Sequence, residues 1–449
     1  MHSPAEAARP FDVTFRHVLA IALPMTVAWM TTPLIGVTDT AVVGQLGVAA
    51  LIGAVALGAV LFDILGTVFN FLRMGTTGLV AQAMGAGDAD EQANTLWRAL
   101  LLAMVAAGAV VVLQEPLLAL FIAAMGPSEA VADAVTQYWR VRVWSLPFML
   151  ANYAILGWLI GLARAGTGLA LQILLGVVNI GASILLGLVL GFGVAGVAAA
   201  SVLAEAVTFA AGAAVVWRGL ASAPRPQLAV VLERAGFLRM MNLNRDIFIR
   251  SVILIGVFTF FSSVSARLGD QTLAANAILL NVLLIGGYYL DGLAAAAEQL
   301  GGRAVGARYR PAFDRTVKLT VGLGVTASAL LSLAFLLAAE PFVRLMTTAE
   351  DVREEALVTF AWAAMGPFVG GLAYVMDGLY IGATWSAAMR NMMILSAGLF
   401  LAVWWIATPL MGNEGLWLAL LTFLGARGLT LAANLPSMTR RTFGESASR

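Results

Sequence analysis

Residues 17–44 read HVLAIALPMTVAWMTTPLIGVTDTAVVG, an apolar segment in which Asp39 is the single carboxylate. As one helix, the segment is long enough to cross the hydrocarbon core of a bilayer, which is roughly 30 Å thick. An isolated ionised aspartate surrounded by hydrocarbon is costly, so Asp39 must be neutralised, paired or hydrated. The stretch therefore predicts a membrane-spanning helix and marks Asp39 as a candidate functional residue.

The composition of the whole chain is also that of a membrane protein. Of the 449 residues, 61% are hydrophobic and 11% are charged, and the mean hydropathy is +0.90, which leaves too little polar surface for a soluble globule. Apolar runs of about twenty residues recur, as in spanning helices and unlike the alternating strands of a barrel. We therefore predict an all-α integral membrane protein with twelve transmembrane helices. After 17–44, the predicted spans are 49–83, 95–114, 131–161, 168–191, 194–217, 246–266, 272–305, 317–338, 352–382, 390–410 and 414–435.

The distribution of charge orients the chain in the membrane. Arginine and lysine accumulate in residues 218–245 and 303–318, whereas acidic residues collect in 350–355. By the positive-inside rule the two basic segments are cytoplasmic, which places both termini on the same side. We expect residues 1–16 to be a cytoplasmic segment and not a cleaved signal peptide, and residues 436–449 to be a cytoplasmic tail.

Residues 218–245 are predicted to link two halves of the protein. They contain the proline-rich stretch ASAPRPQ (221–227), followed by LAVVLERAGFLRMM (228–241). The apolar face and arginine spacing of the second stretch are typical of a helix that lies on the membrane surface. The linker is therefore expected to include one interfacial helix.

The two halves are related by an internal repeat. LQEPLLALF (113–121) recurs as AAEPFVRLM (338–346), and SLPFMLANYAILGWLIGLA (145–163) recurs as MGPFVGGLAYVMDGLYIGAT (365–384). An even number of crossings returns the chain to its starting side, so six spans are duplicated in the same orientation. The predicted halves are six-helix bundles, 17–217 and 246–435, and two like bundles around a cleft are a transporter architecture.

Six further stretches are distinctive: LPMTVAWMTTPLIGVTDTAVVGQLG (23–47), FLRMGTTGLVAQAMGAGD (71–88), LNRDIFIRS (243–251), YYLDGLAAAAE (288–298), YVMDGLYIGAT (374–384) and MRN (389–391). Together they resemble the multidrug and toxic compound extrusion (MATE) transporters, and in particular their DinF-type branch. The resemblance covers nearly the entire chain. It implies two bundles of six helices, an outward-opening cleft, and export driven by inward movement of H⁺ or Na⁺.

The resemblance also assigns roles to residues of the first span. In proton-coupled members, the first-helix carboxylate is the protonated group and a proline fifteen residues before it marks a bend; these positions are Asp39 and Pro24 here. Counted from Arg16, Asp39 lies roughly 34 Å along its helix, in the outer part, where a proton and a cationic cargo would compete for it. Many relatives carry asparagine and, four residues later, aspartate on the fifth helix, whereas this chain has Asn179 and Ser183. A two-carboxylate cation site at that place is therefore in doubt.

Other polar residues in the spans are candidates for the cavities or for structural pairs. In the first bundle these are Asn179, Ser183 and Asp63, and in the second bundle Asp291 and Asp377, which could form a second ion site or cap a kink. Matched depths in the two halves predict two structural ion pairs that hold helices together, Arg73 with Glu205 and Glu298 with Arg427.

The predicted function is secondary active antiport: export of amphipathic, cationic drugs or toxic metabolites in exchange for protons. Two alternatives on the same fold stay open, a Na⁺-coupled exporter and a flippase of lipid-linked or anionic cargo, the latter favoured if Arg140 and Arg142 face the cleft. An enzyme is not expected: there is no cysteine, His2 and His17 are the only histidines, and no GxxxxGK[ST] loop is present. We expect a bacterial-type inner-membrane protein, monomeric, in contact with small amphipathic substrates and lipids, with no nucleic acid, metal site or cofactor beyond the coupling ion.

Overall fold

The computed structural model describes residues 9–45, 48–220 and 228–444, and within these ranges it contains helices and no strand. Twelve helices or helix pairs in the described chain are long and apolar enough to cross a membrane, as predicted. In the first half the helices are α1 Phe15–Gly44, α2 Ala49–Phe69, α3 Phe71–Ala86, α4 Ala89–Val112, α5 Gln114–Met125, α6 Glu129–Arg142, α7 Leu146–Gly161, α8 Ala165–Ala182 and α9 Gly193–Gly219. In the second half they are α10 Leu228–Val231, α11 Arg234–Leu268, α12 Asp270–Gly306, α13 Arg310–Leu337, α14 Ala339–Met346, α15 Glu350–Gly382, α16 Ser386–Met411 and α17 Asn413–Phe443.

Three spans of the first half are interrupted helices. The second span breaks at Asn70, between α2 and α3, and the fourth contains a 3₁₀ turn, Val143–Ser145, between α6 and α7. The fifth span continues from α8 into a π-helix, Ser183–Val189. The 3₁₀ turn comes just before Pro147, which lacks an amide donor and so favours the first turn of a new helix.

The internal repeat is visible in how glycines pack. A Cβ atom added at Gly157 or Gly161 of α7 would meet the α3 backbone, and one added at Gly378 or Gly382 of α15 would meet the α12 backbone. Each glycine pair therefore permits close approach of two helix axes, as small residues do in membrane bundles.

The chain also turns in the same way after each of these glycine pairs. Ala163 and Thr384, each two residues beyond the second glycine, both adopt a left-handed backbone with φ of 57°. Non-glycine residues adopt this conformation infrequently, so its occurrence at matched positions supports duplication of one unit.

The chain forms two compact units, whose boundaries differ from those of the predicted bundles. The N unit consists of Val27–Ala83 and Asp88–Met241, and the C unit consists of the chain up to Thr26, Met84–Gly87 and the chain from Asn242 onward. The sequence repeat assigns 17–217 to one bundle and 246–435 to the other. The difference arises because α1 and α11, the first spanning helices of the two halves, each cross from one unit to the other.

The beginning of α1 belongs to the C unit because it packs closely on α12. Thr26 Oγ1 donates a hydrogen bond to the Tyr289 carbonyl oxygen at 3.3 Å, and a Cβ atom at Gly292 would meet both Thr26 and Ala22. Pro24 lies in this packed part of α1, two residues before the unit boundary.

The predicted interfacial helix over 228–241 does not form as one element. Instead, α10 ends at Val231, and residues from Arg234 onward are the start of α11, which continues without interruption to Leu268. The proline-rich stretch 221–227 lies outside the described residues. With no proline between 234 and 268, nothing stops the helix before the membrane-spanning part. Likewise, α17 continues through Pro436 to Phe443, so part of the predicted tail is helical.

The short linker helix α10 is held by α4. Arg98, which is 2% exposed, donates hydrogen bonds to the carbonyl oxygens of Val230 and Val231 at 3.1 and 3.0 Å. It also forms an ion pair of 2.8 Å with Glu91. An arginine at a helix C-terminus satisfies carbonyls that have no partner inside the helix.

Candidate functional site

The buried carboxylate of Asp39 on α1 is the centre of the candidate site in the N unit. Asp39 is 5% exposed, and its Oδ1 accepts a hydrogen bond of 2.7 Å from the hydroxyl of Ser183. Ser183 is the first residue of the π-helix. Such segments distort the regular i→i−4 ladder and occur frequently at functional sites. The structure thus pairs Asp39 with a neutral donor on the fifth span.

A second set of hydrogen bonds lies one turn before Ser183 on the same helix. Asn179 Nδ2 donates to the Ser201 hydroxyl at 3.0 Å, and Ser201 also accepts a hydrogen bond from the Arg142 guanidinium. Asn179 and Ser201 are buried. Helices α6, α8 and α9 therefore meet at Ser201, and they bring Arg142 into the same region as Asp39.

Arg142 is surrounded by aromatic rings and carboxylates. Its Cζ lies 4.7 Å from the centre of the Phe62 ring and 5.7 Å from the centre of the Tyr138 ring. It interacts electrostatically with three carboxylates, which we call the carboxylate cluster: Asp39, Asp63 and Glu205. The structure thus brings together all of the predicted N-bundle cavity residues, namely Asp39, Asp63, Asn179 and Ser183, and adds Arg142 and Glu205.

Arg73 and Glu205, which the sequence predicts to form an ion pair, each have another contact in the structure. Glu205 Oε2 accepts a hydrogen bond of 2.7 Å from Asn152 Nδ2. Arg73 instead donates from Nε to Asn70 Oδ1 at 2.9 Å, and its Cζ lies 5.1 Å from the Trp29 ring centre. Equal depth in the membrane does not fix which face of each helix a side chain occupies, so depth alone was insufficient to identify the partners.

In the second predicted pair, Glu298 with Arg427, the structure shows Arg427 forming an ion pair with Asp377. Arg427 donates to Asp377 Oδ2 at 2.6 Å, and Arg250 of α11 forms an ion pair with the same oxygen. The side chains of all three residues of this Arg–Asp–Arg group are at most 8% exposed. Arg250 was missed, although it lies in LNRDIFIRS, one of the stretches that carry the family resemblance.

Asp291, the other predicted residue of the C-bundle cavity, lies on α12. It is partly buried and interacts electrostatically with Tyr374. Across the described ranges, no group of three or more His, Cys, Asp or Glu side chains is arranged to hold a metal ion. The two units therefore contain different polar centres: a carboxylate bound by a hydroxyl in one, and a carboxylate between two guanidinium groups in the other.

Comparison with known proteins assigns the family. The MatE family model matches residues 24–185 and 247–406, one match in each half of the chain. The chain is 37% identical to DNA damage-inducible protein F of Escherichia coli (strain K12) over 418 residues, which covers 92% of this chain and 90% of that protein. It is 28% identical to multidrug resistance protein NorM of Burkholderia vietnamiensis over 450 residues, with 93% and 90% of the two chains covered.

Solved structures agree with this assignment at the level of the fold. A crystal structure of a MATE protein in the bent conformation superposes with a TM-score of 0.86 at 17% identity and covers 95% of this chain and 96% of that chain. An outward-facing multidrug resistance MATE family transporter of the MOP superfamily gives a TM-score of 0.84 at 17% identity, with the same coverage. The chain belongs to the MATE family of multidrug efflux transporters, and the resemblance seen in the sequence is confirmed. Its twelve apolar helices and its bacterial relative support a multi-pass inner-membrane protein.

Proposed function

We propose that this transporter exports amphipathic organic cations in exchange for protons, and that Asp39 is the group that carries the proton. One observation supports this proposal most: Asp39 is 5% exposed, and the hydrogen bond that it accepts comes from a neutral hydroxyl. A buried carboxylate without a contacting cation can accept a proton at moderate cost, whereas one held by guanidinium groups cannot.

Antiport requires that proton and cargo exclude each other. When Asp39 is ionised, the carboxylate cluster attracts an organic cation through its negative charge. When Asp39 is protonated, that attraction weakens and the cation leaves. The proton then moves inward as the cargo moves outward, because the two ligands stabilise different states of one site.

The alternative of an anionic or lipid-linked cargo receives less support. It is favoured if Arg140 and Arg142 face the cleft. Arg140 is exposed and forms an ion pair of 3.2 Å with Glu115, and Arg142 interacts with the carboxylate cluster. An anion would meet more negative than positive charge there.

Orientation is a further part of the proposal. The basic segments 218–245 and 303–318 favour the cytoplasm, which places both termini inside and Asp39 in the outer part of the membrane. From there Asp39 exchanges protons with the external side.

Transport in reconstituted vesicles tests the proposal. Purified protein is placed in vesicles with ethidium as cargo, and a pH gradient or a Na⁺ gradient is imposed in turn. In vesicles where the protein is inserted inside out, export appears as uptake. We expect the pH gradient alone to drive ethidium uptake into these vesicles, and Asp39→Asn to abolish it. Uptake driven by the Na⁺ gradient alone would overturn the assignment of the proton as the coupling ion.

A further inference from the structure

Arg142 is built into the carboxylate cluster and is not a mobile surface charge. It is the last residue of α6, and it is half-buried. The rings of Phe62 and Tyr138 and the hydroxyl of Ser201 fix its guanidinium from three sides. Two residues earlier, Arg140 provides the contrast, because it is exposed and paired with Glu115 at the surface.

The guanidinium contributes a permanent positive charge to the site. It interacts with Asp39, Asp63 and Glu205, and an arginine stays protonated in proteins whatever its surroundings. With all three carboxylates ionised, three negative charges and one positive charge give the site a net charge of −2. Protonation of the carboxylates makes this net charge less negative, whereas the positive charge of Arg142 stays in place.

A fixed cation in the site would act differently on cargoes of different charge. A monovalent cation can approach the exposed carboxylate of Asp63 and the buried one of Asp39 without a second charge near Arg142. A divalent organic cation brings a second positive charge towards the same carboxylates, and Arg142 repels that charge as well as the first, because like charges repel. The penalty applies to the second charge and not to the apolar body of the cargo.

We propose that Arg142 tunes the charge of the cargo, in that its fixed positive charge weakens the binding of divalent organic cations more than the binding of monovalent ones. This inference rests on the proposed export of organic cations. Arg142 is then a specificity-determining residue, and its effect operates through electrostatic repulsion and not through direct binding of the cargo.

Two dyes with one ring system provide the test. Ethidium and propidium share the phenanthridinium ring, but ethidium carries a single positive charge and propidium carries two. Dissociation constants for both dyes are measured by fluorescence anisotropy on the purified full-length protein in detergent. For R142Q, which retains hydrogen-bonding capacity without the charge, we expect the propidium-to-ethidium ratio of dissociation constants to fall about tenfold. The matched control R140Q removes a surface charge from the same helix, and its ratio should equal that of the parent.

Two additional variants separate charge from structure. D63N removes a negative charge, so its propidium-to-ethidium ratio of dissociation constants should rise, which means a stronger preference for ethidium. R142K retains the positive charge, so its ratio should stay near that of the parent even if its packing changes. These two variants decide the question even if R142Q does not fold.

The outcomes distinguish this inference from the proposed function. An unchanged ratio in R142Q, a shift of D63N in the same direction as R142Q, or a tenfold change in R142K would each overturn the role of Arg142. If the parent binds neither dye, the proposed class of cargo is wrong, and the inference about Arg142 is wrong with it. Thermal unfolding of each variant shows whether the dye measurements were made on folded protein.

Discussion

Asp39 of the N unit and Asp377 of the C unit are both buried carboxylates on membrane-spanning helices, but their partners differ. Asp39 accepts a hydrogen bond from the Ser183 hydroxyl, whereas Asp377 is held by the guanidinium groups of Arg250 and Arg427. A carboxylate between two arginines stays ionised, because protonation would leave two buried cations without a counter-charge. Burial alone therefore does not identify a proton carrier, because the charge of the contacting group also decides whether the carboxylate can be protonated.

The duplicated architecture makes this difference informative. The glycine pairs of α7 and α15 and the left-handed residues Ala163 and Thr384 show that the two halves use the same helix packing. The polar centres nevertheless diverge. We infer that the scaffold retains its duplicated form, while Asp39 serves coupling and the Arg–Asp–Arg group serves stability.

The largest expected effect is on stability, at the Arg–Asp–Arg group. Asp377→Ala leaves Arg250 and Arg427 buried without their shared carboxylate, so we expect a loss of about 3 to 5 kcal/mol in unfolding free energy. Asp39→Asn, which replaces a carboxylate by an amide of equal size, should leave stability almost unchanged. Thermal unfolding of both variants in detergent measures the difference. Equal destabilisation would erase the contrast between the two centres.

A double-mutant cycle measures which carboxylate, Asp377 or Glu298, is energetically coupled to Arg427. The changes Arg427→Met and Asp377→Asn should be strongly non-additive in unfolding free energy, with a coupling above about 1 kcal/mol, because the two side chains share an ion pair. Arg427→Met combined with Glu298→Gln should be close to additive. A larger coupling with Glu298 than with Asp377 would restore the pair predicted from depth alone.

Pro24 tests whether the first helix changes shape during transport. Proline lacks the amide donor and weakens the helical ladder, and Pro24 lies two residues before the unit boundary in α1. Pro24→Ala should therefore lower the turnover of ethidium about tenfold through a barrier of about 1.4 kcal/mol, while the dissociation constant for ethidium changes little. Vesicle transport and anisotropy together separate the two quantities. Parent-like turnover would show that this proline is not needed for the conformational step.

The smallest expected effect is at the hydroxyl partner of Asp39. Ser183→Ala removes one hydrogen bond to the carboxylate, whose contribution is about 1.5 to 3 kcal/mol when the carboxylate is ionised. A water molecule that enters the space left by the hydroxyl can replace part of this contribution. We expect transport to fall only several-fold, and Ser183→Thr, which keeps the hydroxyl, to retain most of it. Complete loss of transport in the alanine variant, with normal folding, would make Ser183 essential and not supportive.

The sequence predicted the spans better than the partners. Apolar runs reveal spanning helices because the bilayer imposes one length and one polarity on each of them. Asp39 was also recognisable, since it is a lone carboxylate in such a run. The Arg–Asp–Arg group was not, because Asp377, Arg250 and Arg427 lie on three helices far apart in the chain, and their contact depends on helix rotation. The contacts of Arg142 were likewise not predictable, because they depend on how α2, α6 and α9 pack together.

Proton release on cargo binding is the most direct test of the central claim that Asp39 carries the coupled proton. Ethidium is added to purified protein in weakly buffered detergent solution containing a pH-indicator dye, at a pH where the parent transports. For the parent we predict release of about one proton per bound cation, as linkage between two competing ligands requires. Asp39→Asn should bind or exclude ethidium without releasing protons. If the asparagine variant releases protons as the parent does, the claim is contradicted, and the coupling group must be sought among Asp63, Asp291 and Asp377.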